Sequence, residues 1–188
     1  MLSTPRLPLR ILPLFLLVSC ASMEERRAES IAEFLEEHYG SLTVGADWEA
    51  VRSDFSAEAV VARMDPDHPG AVIPTPVDEF FASVGPSIDS LRFFHIEPKT
   101  LWITLYDRLA TAWVHAVVEQ EDAEGQAKGF EGVDQFSLIQ DEDGRWRIIH
   151  LVWQEVAEEW EPPRASRTWL FARSAPAELR VGISAASY

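Results

Sequence analysis

The chain has 188 residues, of which 47% are hydrophobic and 11% aromatic, enough apolar material for one well-buried core and hardly enough for two. Its formal net charge of -15 would repel phosphate backbones and anionic headgroups, which argues against nucleic acid as a partner and against a basic patch as a membrane attachment. Cys20 is the only cysteine, so no disulfide can form within one chain and the fold must stand on packing.

Arg6 and Arg10 precede the apolar run Ile11 to Val18, which ends at the small residue Ser19 immediately before Cys20. Charge, apolar run and small residue in that order make a secretion signal, and the run is far short of the roughly 20 residues that span a bilayer. The segment Leu17-Val18-Ser19-Cys20 resembles the bacterial lipobox, in which a peptidase cuts before a cysteine that carries a diacylglyceryl group. The resemblance implies a signal peptide over 1–19, a lipidated N-terminus over 20–23 with Cys20 as the lipidation site, and a domain tethered to a membrane of the bacterial cell envelope. Loss of Arg6 and Arg10 with the leader would make the mature chain more acidic still.

Beyond the anchor the pattern reads as helices first and sheet second. Ser22 and Glu25 have capping-box spacing, Ile31, Phe34, Leu35, Tyr39 and Leu42 recur at helical intervals, and Gly40 is placed to stop the helix. Asp47 is a good N-cap for a short second helix from Trp48 to about Ser53, and Ala57 to Met64 reads as a strand. Asp65 to Gly70 is a turn-rich loop; its Asp65, Asp67 and His68 carry metal-ligand atoms, but Pro66 and Pro69 make it an exposed turn and no metal site is assigned. Thr75-Pro76-Val77-Asp78 opens a third helix through Phe80, Phe81 and Val84 that Gly85-Pro86 is expected to end.

From Leu91 to Val156 aromatic and β-branched residues alternate, with turn signals at Asp107-Arg108, Glu124-Gly125 and Asp141 to Gly144. This predicts four antiparallel strands. The acidic, proline-containing stretch from Glu158 marks a boundary, leaving 157–188 as a partly mobile C-terminal extension whose Trp169, Leu170 and Phe171 could dock back on the domain.

Helices leading into a curved antiparallel sheet make an α+β fold. Gly132-Val133-Asp134-Gln135-Phe136-Ser137-Leu138, an acidic turn, then Gly144-Arg145-Trp146-Arg147-Ile148 through Trp153 resemble the paired closing strands of the SnoaL-like proteins of the nuclear transport factor 2-like superfamily. The resemblance covers about residues 24 to 156. It implies a cone-shaped roll with a pocket between helices and sheet and frequent homodimerisation through the sheet, but no activity, because this fold hosts isomerases, dehydratases, cyclases and members without a known reaction.

Turn lengths add a face assignment. A two-residue turn at Asp107-Arg108 pairs Tyr106 with Leu109, Ile103 with Ala112 and Trp102 with Trp113. Leu101, Ile103, Leu105, Ala110, Ala112 and Val114 then share the core face, with Trp102, Tyr106, Trp113 and His115 behind it. A four-residue turn at Asp141 to Gly144 pairs Phe136 with Ile149 and Asp134 with Leu151, placing Asp134, Phe136, Leu138, Ile149, Leu151 and Trp153 inside and Gln135, Ser137, Trp146, Ile148 and His150 outside. Four aromatics on the outer face, Trp102, Tyr106, Trp113 and Trp146, suit a dimer interface.

Candidate chemistry is sparse. Asp134 is the only carboxylate this pairing places among inward apolar residues; Tyr39, Phe136 and Trp153 would line the pocket around it. His95 has the parity of Leu101 and Ile103 and points inward unless Pro98 introduces a bulge, and His38 sits near the end of the first helix. The sequence contains no zinc motif, glycine-rich phosphate loop or serine elbow, and no cofactor is expected. Two functional classes remain. One is a non-catalytic envelope lipoprotein whose cone binds a small apolar ligand or whose sheet binds a protein; the alternative is a cyclase, isomerase or dehydratase that uses an inward carboxylate or histidine for proton transfer. Convergence of Asp134 and a second ionisable group in a cavity would separate them.

Overall fold

Helix α1 spans Met23–Ser41 and begins with the capping box: Ser22 Oγ accepts from the Glu25 amide while the Glu25 carboxylate accepts from the Ser22 amide. Gly40 lies inside this helix, whose C-cap is Leu42. Ala28, Ile31, Ala32, Leu35 and Tyr39 recur at intervals of three and four and are all buried, so one stripe of α1 faces the sheet. Asp47 caps α2 (Trp48–Arg52) through its side chain. The computed structural model describes residues 22–64 and 71–156, together with the backbone of 168–174 and 178–184. Residues 1–21, with Cys20 among them, and the loop with Asp65, Asp67 and His68 lie outside the described residues.

Helix α3 covers Val77–Asp89 and does not end at Gly85-Pro86 as the sequence suggested. A proline inside a helix removes one backbone hydrogen bond and also crowds the residue before it; Gly85, with no Cβ, relieves that second part. That glycine has a packing role instead. A Cβ added there would lie 3.2 Å from the Trp48 ring, and the ring is anchored because its Nε1 donates to Asp89 Oδ2 at 3.0 Å. Asp89 Oδ1 also accepts from the Gly45 amide, tying the end of α3 to the loop before α2.

Strands β1 (Phe55–Met64), β2 (Val72–Pro76), β3 (Phe93–Tyr106), β4 (Leu109–Glu121), β5 (Ala127–Gln140), β6 (Trp146–Val156), β7 (Thr168–Ser174) and β8 (Glu178–Ser184) form one sheet in the order β2-β1-β6-β5-β4-β3-β7-β8. The sheet is mixed, not purely antiparallel, because β1 runs parallel to β6. Strand β2 had no clear signal: its Val72-Ile73-Pro74-Thr75-Pro76 run contains two prolines, which suits only an edge. The C-terminal residues also extend the sheet beyond 156, since Trp169 to Ala172 pair along β3.

The β3–β4 hairpin has the register expected from its two-residue turn, including Tyr106 opposite Leu109, Ile103 opposite Ala112 and Trp102 opposite Trp113. Asp107 takes a left-handed φ of 51° there, which aspartate tolerates better than most residues. The predicted inner face is correct for both strands: Ile103, Ala112 and Val114 are fully buried under α1.

The β5–β6 register differs from the expectation by one residue at the turn and by one more at a bulge. Ser137 pairs with His150 but Leu138 pairs with Ile148, so Ile149 is an extra residue on β6. Phe136 therefore faces Leu151, not Ile149, and Asp134 faces Trp153, not Leu151. The extra turn residue reverses the side-chain parity of the first residues of β6, and the bulge restores the expected parity from Leu151 onward. Trp146 and Ile148, expected outside, are core residues, and the Trp146 Nε1 donates to Ser30 Oγ on α1. The turn is itself one residue longer than expected, since Gln140 pairs with Trp146; Gly144 has φ +81° there, and Asp141 accepts from the Arg145 amide.

Because Trp48 is pinned by Asp89, Gly85→Ala should destabilise the domain even though alanine is the better helix former. Overpacking costs about 1–3 kcal/mol against a propensity gain of about 1 kcal/mol. The expected result is a lower denaturant midpoint with an unchanged slope, and Trp48→Leu in the same background should restore part of the loss.

Candidate functional site

The inward stripe of α1 changes character in its last turn. After Ile31 and Leu35 the positions that face the sheet are His38 and Tyr39, both buried to about 3% exposure. Their rings are held edge-to-face: His38 against Phe55 at 5.5 Å and Tyr39 against Phe136 at 5.9 Å. Beneath them, β5 presents Asp134 between Val114 of β4 and Trp153 of β6.

These groups line a cavity of about 430 Å³ between the helices and the sheet. Its walls are predominantly apolar, with Phe80 and Phe81 from α3 on one side and Ile96, Val118, Phe130 and Phe136 from the sheet on the other. The polar side chains on it are His38, Tyr39, Ser87, Gln120 and Asp134. A volume of this size accommodates a small organic molecule.

Asp134 is partly buried at the cavity wall and takes a short hydrogen bond on Oδ2 from the Tyr39 hydroxyl. Loss of hydration raises its carboxyl to about 6, against the opposing effects of the Tyr39 bond and of the nearby His38. Burial, then the Asp134 charge and the hydrogen bond to it, push the Tyr39 phenol well above its ordinary value. Tyr39 therefore keeps its proton as a donor, while Asp134 is the group that changes charge near neutral pH.

The other α1 ring has its own carboxylate. His38 Nδ1 lies 2.8 Å from Asp54 Oδ2, on the turn between α2 and β1. The sequence offered no sign of this pair, since 16 positions separate its members and only the packing of α1 over the start of β1 brings them together.

His95, the second candidate, does not reach the cavity. Pro98 pairs with Ala116 and Thr100 with His115, leaving Lys99 as an extra residue. The bulge beside Pro98 reverses the parity of the first half of β3, so Phe94 and Ile96 line the cavity while His95 is exposed on the other side. Tyr39, Phe136 and Trp153 do line it. Among the described residues no group of three His, Cys, Asp or Glu side chains is placed to hold a metal.

The outer face carries Trp102 and Trp113, both half-buried, and an exposed Tyr106. Trp146, counted with them in the sequence, belongs to the core. His115 lies on this face and pairs with Glu131 at 2.9 Å.

The raised carboxyl has a thermodynamic sign. A group at about 6 in the folded chain and 3.8 otherwise binds more protons when folded, so its contribution falls as pH rises from about 4 through 6. Asp134→Asn removes the charge and keeps an acceptor for Tyr39. It should match the wild type at pH 4 and be more stable by about 3 kcal/mol at pH 8. Chemical denaturation at both pH values measures this, and carboxyl titration by NMR should find Asp134 near 6.

No established family signature and no curated protein matches this sequence. Solved structures do match in fold. Protein Kfla4162 from Kribbella flavida superposes with a TM-score of 0.61 at 14% identity, over 72% of this chain and 95% of that one. A protein provisionally named a dehydratase of the NTF2-like family, from Streptomyces avermitilis, gives 0.56 at 15% identity over 71% and 98%. A nuclear transport factor 2-like superfamily protein from Salmonella enterica gives 0.53 at 14% identity over 72% and 92%. Together with the curved mixed sheet and its covering helices, these likenesses identify the fold of this chain as that of the nuclear transport factor 2-like superfamily.

Proposed function

We propose that the domain binds a small, mainly apolar molecule in the cavity between helices and sheet, and that Asp134 with Tyr39 holds a polar group of that molecule. The observation that carries this reading is the placement of a hydrogen-bonded acid in the wall of an otherwise largely apolar cavity of about 430 Å³. Apolar walls supply the affinity and a few placed polar atoms the orientation. The lipobox-like Leu17-Val18-Ser19-Cys20 supports the further reading that Cys20 carries the lipid that tethers this binding domain in the cell envelope. Half-buried Trp102 and Trp113 with exposed Tyr106 support self-association through the outer sheet face.

A second reading, proton-transfer catalysis, is favoured by one observation: Asp134 has its pKa near 6 beside a donor that stays protonated. That is the state of a general base able to act at neutral pH. The name of the Streptomyces structure belongs to the same reaction class.

Calorimetry with 2-naphthol tests the binding reading. The chain lacking residues 1–20 should bind it, and Val118→Trp, which fills the cavity, should weaken binding at least tenfold; absence of binding, or indifference to Val118→Trp, would refute it. The catalytic reading is tested with 1-tetralone in deuterated water. Exchange of its α-hydrogens above the buffer rate, cut about a hundredfold or more by Asp134→Asn, supports an enzyme, and exchange at the buffer rate leaves a binding protein. Mass spectrometry of the native product should find an acylated Cys20 at the N-terminus, and Cys20→Ser should abolish membrane partitioning. Sedimentation should show a dimer of the chain lacking residues 1–20 that Trp113→Glu dissociates.

A further inference from the structure

We propose that His38 is a second ligand-contacting residue, with Asp54 as its positioning residue, so that the cavity selects an apolar molecule carrying two oxygen functions at the same end. This rests on the cavity being a binding site and adds the chemical class of its occupant.

His38 is 3% exposed and lines the cavity. Its Nδ1 faces Asp54 Oδ2 at 2.8 Å, and Asp54 itself is not among the residues that line the cavity. An ionised carboxylate can only accept, so the ring must place its proton on Nδ1. In the neutral ring Nε2 is then a bare acceptor. Among the described residues it makes no hydrogen bond, while the edges of Phe55 and Phe136 lie against the ring. A buried acceptor without a partner costs stability. It is relieved when a bound molecule presents an O–H or N–H to it.

The spacing of the two polar stations defines the ligand further. His38 and Tyr39 are consecutive on α1, their ring centroids are 6.0 Å apart, and Tyr39 is bonded to Asp134. One end of a ligand therefore meets both. A hydroxyl is needed at His38, while a hydroxyl or carbonyl suits the Tyr39–Asp134 pair. The class is a ring compound with two oxygens on neighbouring carbons, its remaining surface apolar.

Two measurements test this, and they fail separately from the cavity reading. Nitrogen-15 correlation spectra of the ligand-free chain report the tautomer directly: His38 should carry its proton on Nδ1, and Asp54→Asn should shift the population toward the Nε2-protonated form. A proton on Nε2 in the unaltered protein would overturn the proposal without any ligand being involved. Calorimetry then compares 2,3-dihydroxynaphthalene with 2-naphthol. The second hydroxyl should tighten binding about tenfold, as one neutral hydrogen bond does at the upper end of its range. Asp54→Asn should reduce that ratio, and His38→Phe should bring it to about one with 2-naphthol still bound. A ratio near one in the unaltered protein, or a ratio indifferent to both substitutions, would sink the assignment of His38. Failure of 2-naphthol itself to bind would instead remove the cavity reading.

Discussion

The contact on which the rest of this structure depends is the burial of the α1 stripe against the inner face of the central strands. Ala28, Ile31, Ala32 and Leu35 are almost completely buried, and opposite them Ile103, Ala112, Val114, Phe136 and Leu138 belong to the same core cluster. Each of the larger side chains among them stabilises by about 1.5–3 kcal/mol through apolar burial, and each alanine by less. No disulfide supplements this within the described residues. The same contact decides where chemistry can occur, because it fixes the rotation of α1 and with it the direction of His38 and Tyr39 one turn further on.

The cavity follows from how that packing runs out. Toward the β3–β4 turn the helix and sheet meet directly, with Trp146 reaching Ser30 and Arg27 reaching Asp107. Toward the end of α1 the stripe turns polar and α3 becomes the facing wall with Phe80 and Phe81. The sheet beneath is rich in large apolar residues, so a carboxylate there is desolvated. Asp134 responds by holding its proton more tightly, and Tyr39 supplies the one strong hydrogen bond that makes its burial tolerable. Two bulges shape this wall. Lys99 brings Phe94 and Ile96 into the cavity, and the extra residue Ile149 lets both Ile148 and Leu151 face the core beside it.

Much of this was legible in the sequence, because much of it is local. The capping box of α1, the Asp47 cap of α2 and the two-residue turn at Asp107 each depend on residues within a few positions of one another, and each is present. The inner face of β3 and β4 follows from period-two alternation outward from that turn. Asp134 was placed inside by the same argument and lines the cavity together with Tyr39, Phe136 and Trp153. Its immediate partner across the strand was not correctly given, because that depended on counting through the turn and a bulge.

The tertiary structure decided what alternation and turn chemistry do not encode. A bulge inserts one residue where two strands must curve over a core, and its position is chosen by the partner strand; this is why His95 faces out, while Trp146 faces in because the turn before it is one residue longer than its sequence suggested. Pro86 lies inside α3 although it removes one backbone hydrogen bond, and Gly85 before it eases the local crowding and receives Trp48 from another helix. Strand β1 joins β6 in parallel, a pairing about 90 positions apart. His38 meets Asp54 only because α1 crosses the start of β1. By itself the sequence determined the helices, the hairpin and the inward acid, all set by short-range geometry. The cavity and its second polar pair exist only where distant segments pack together.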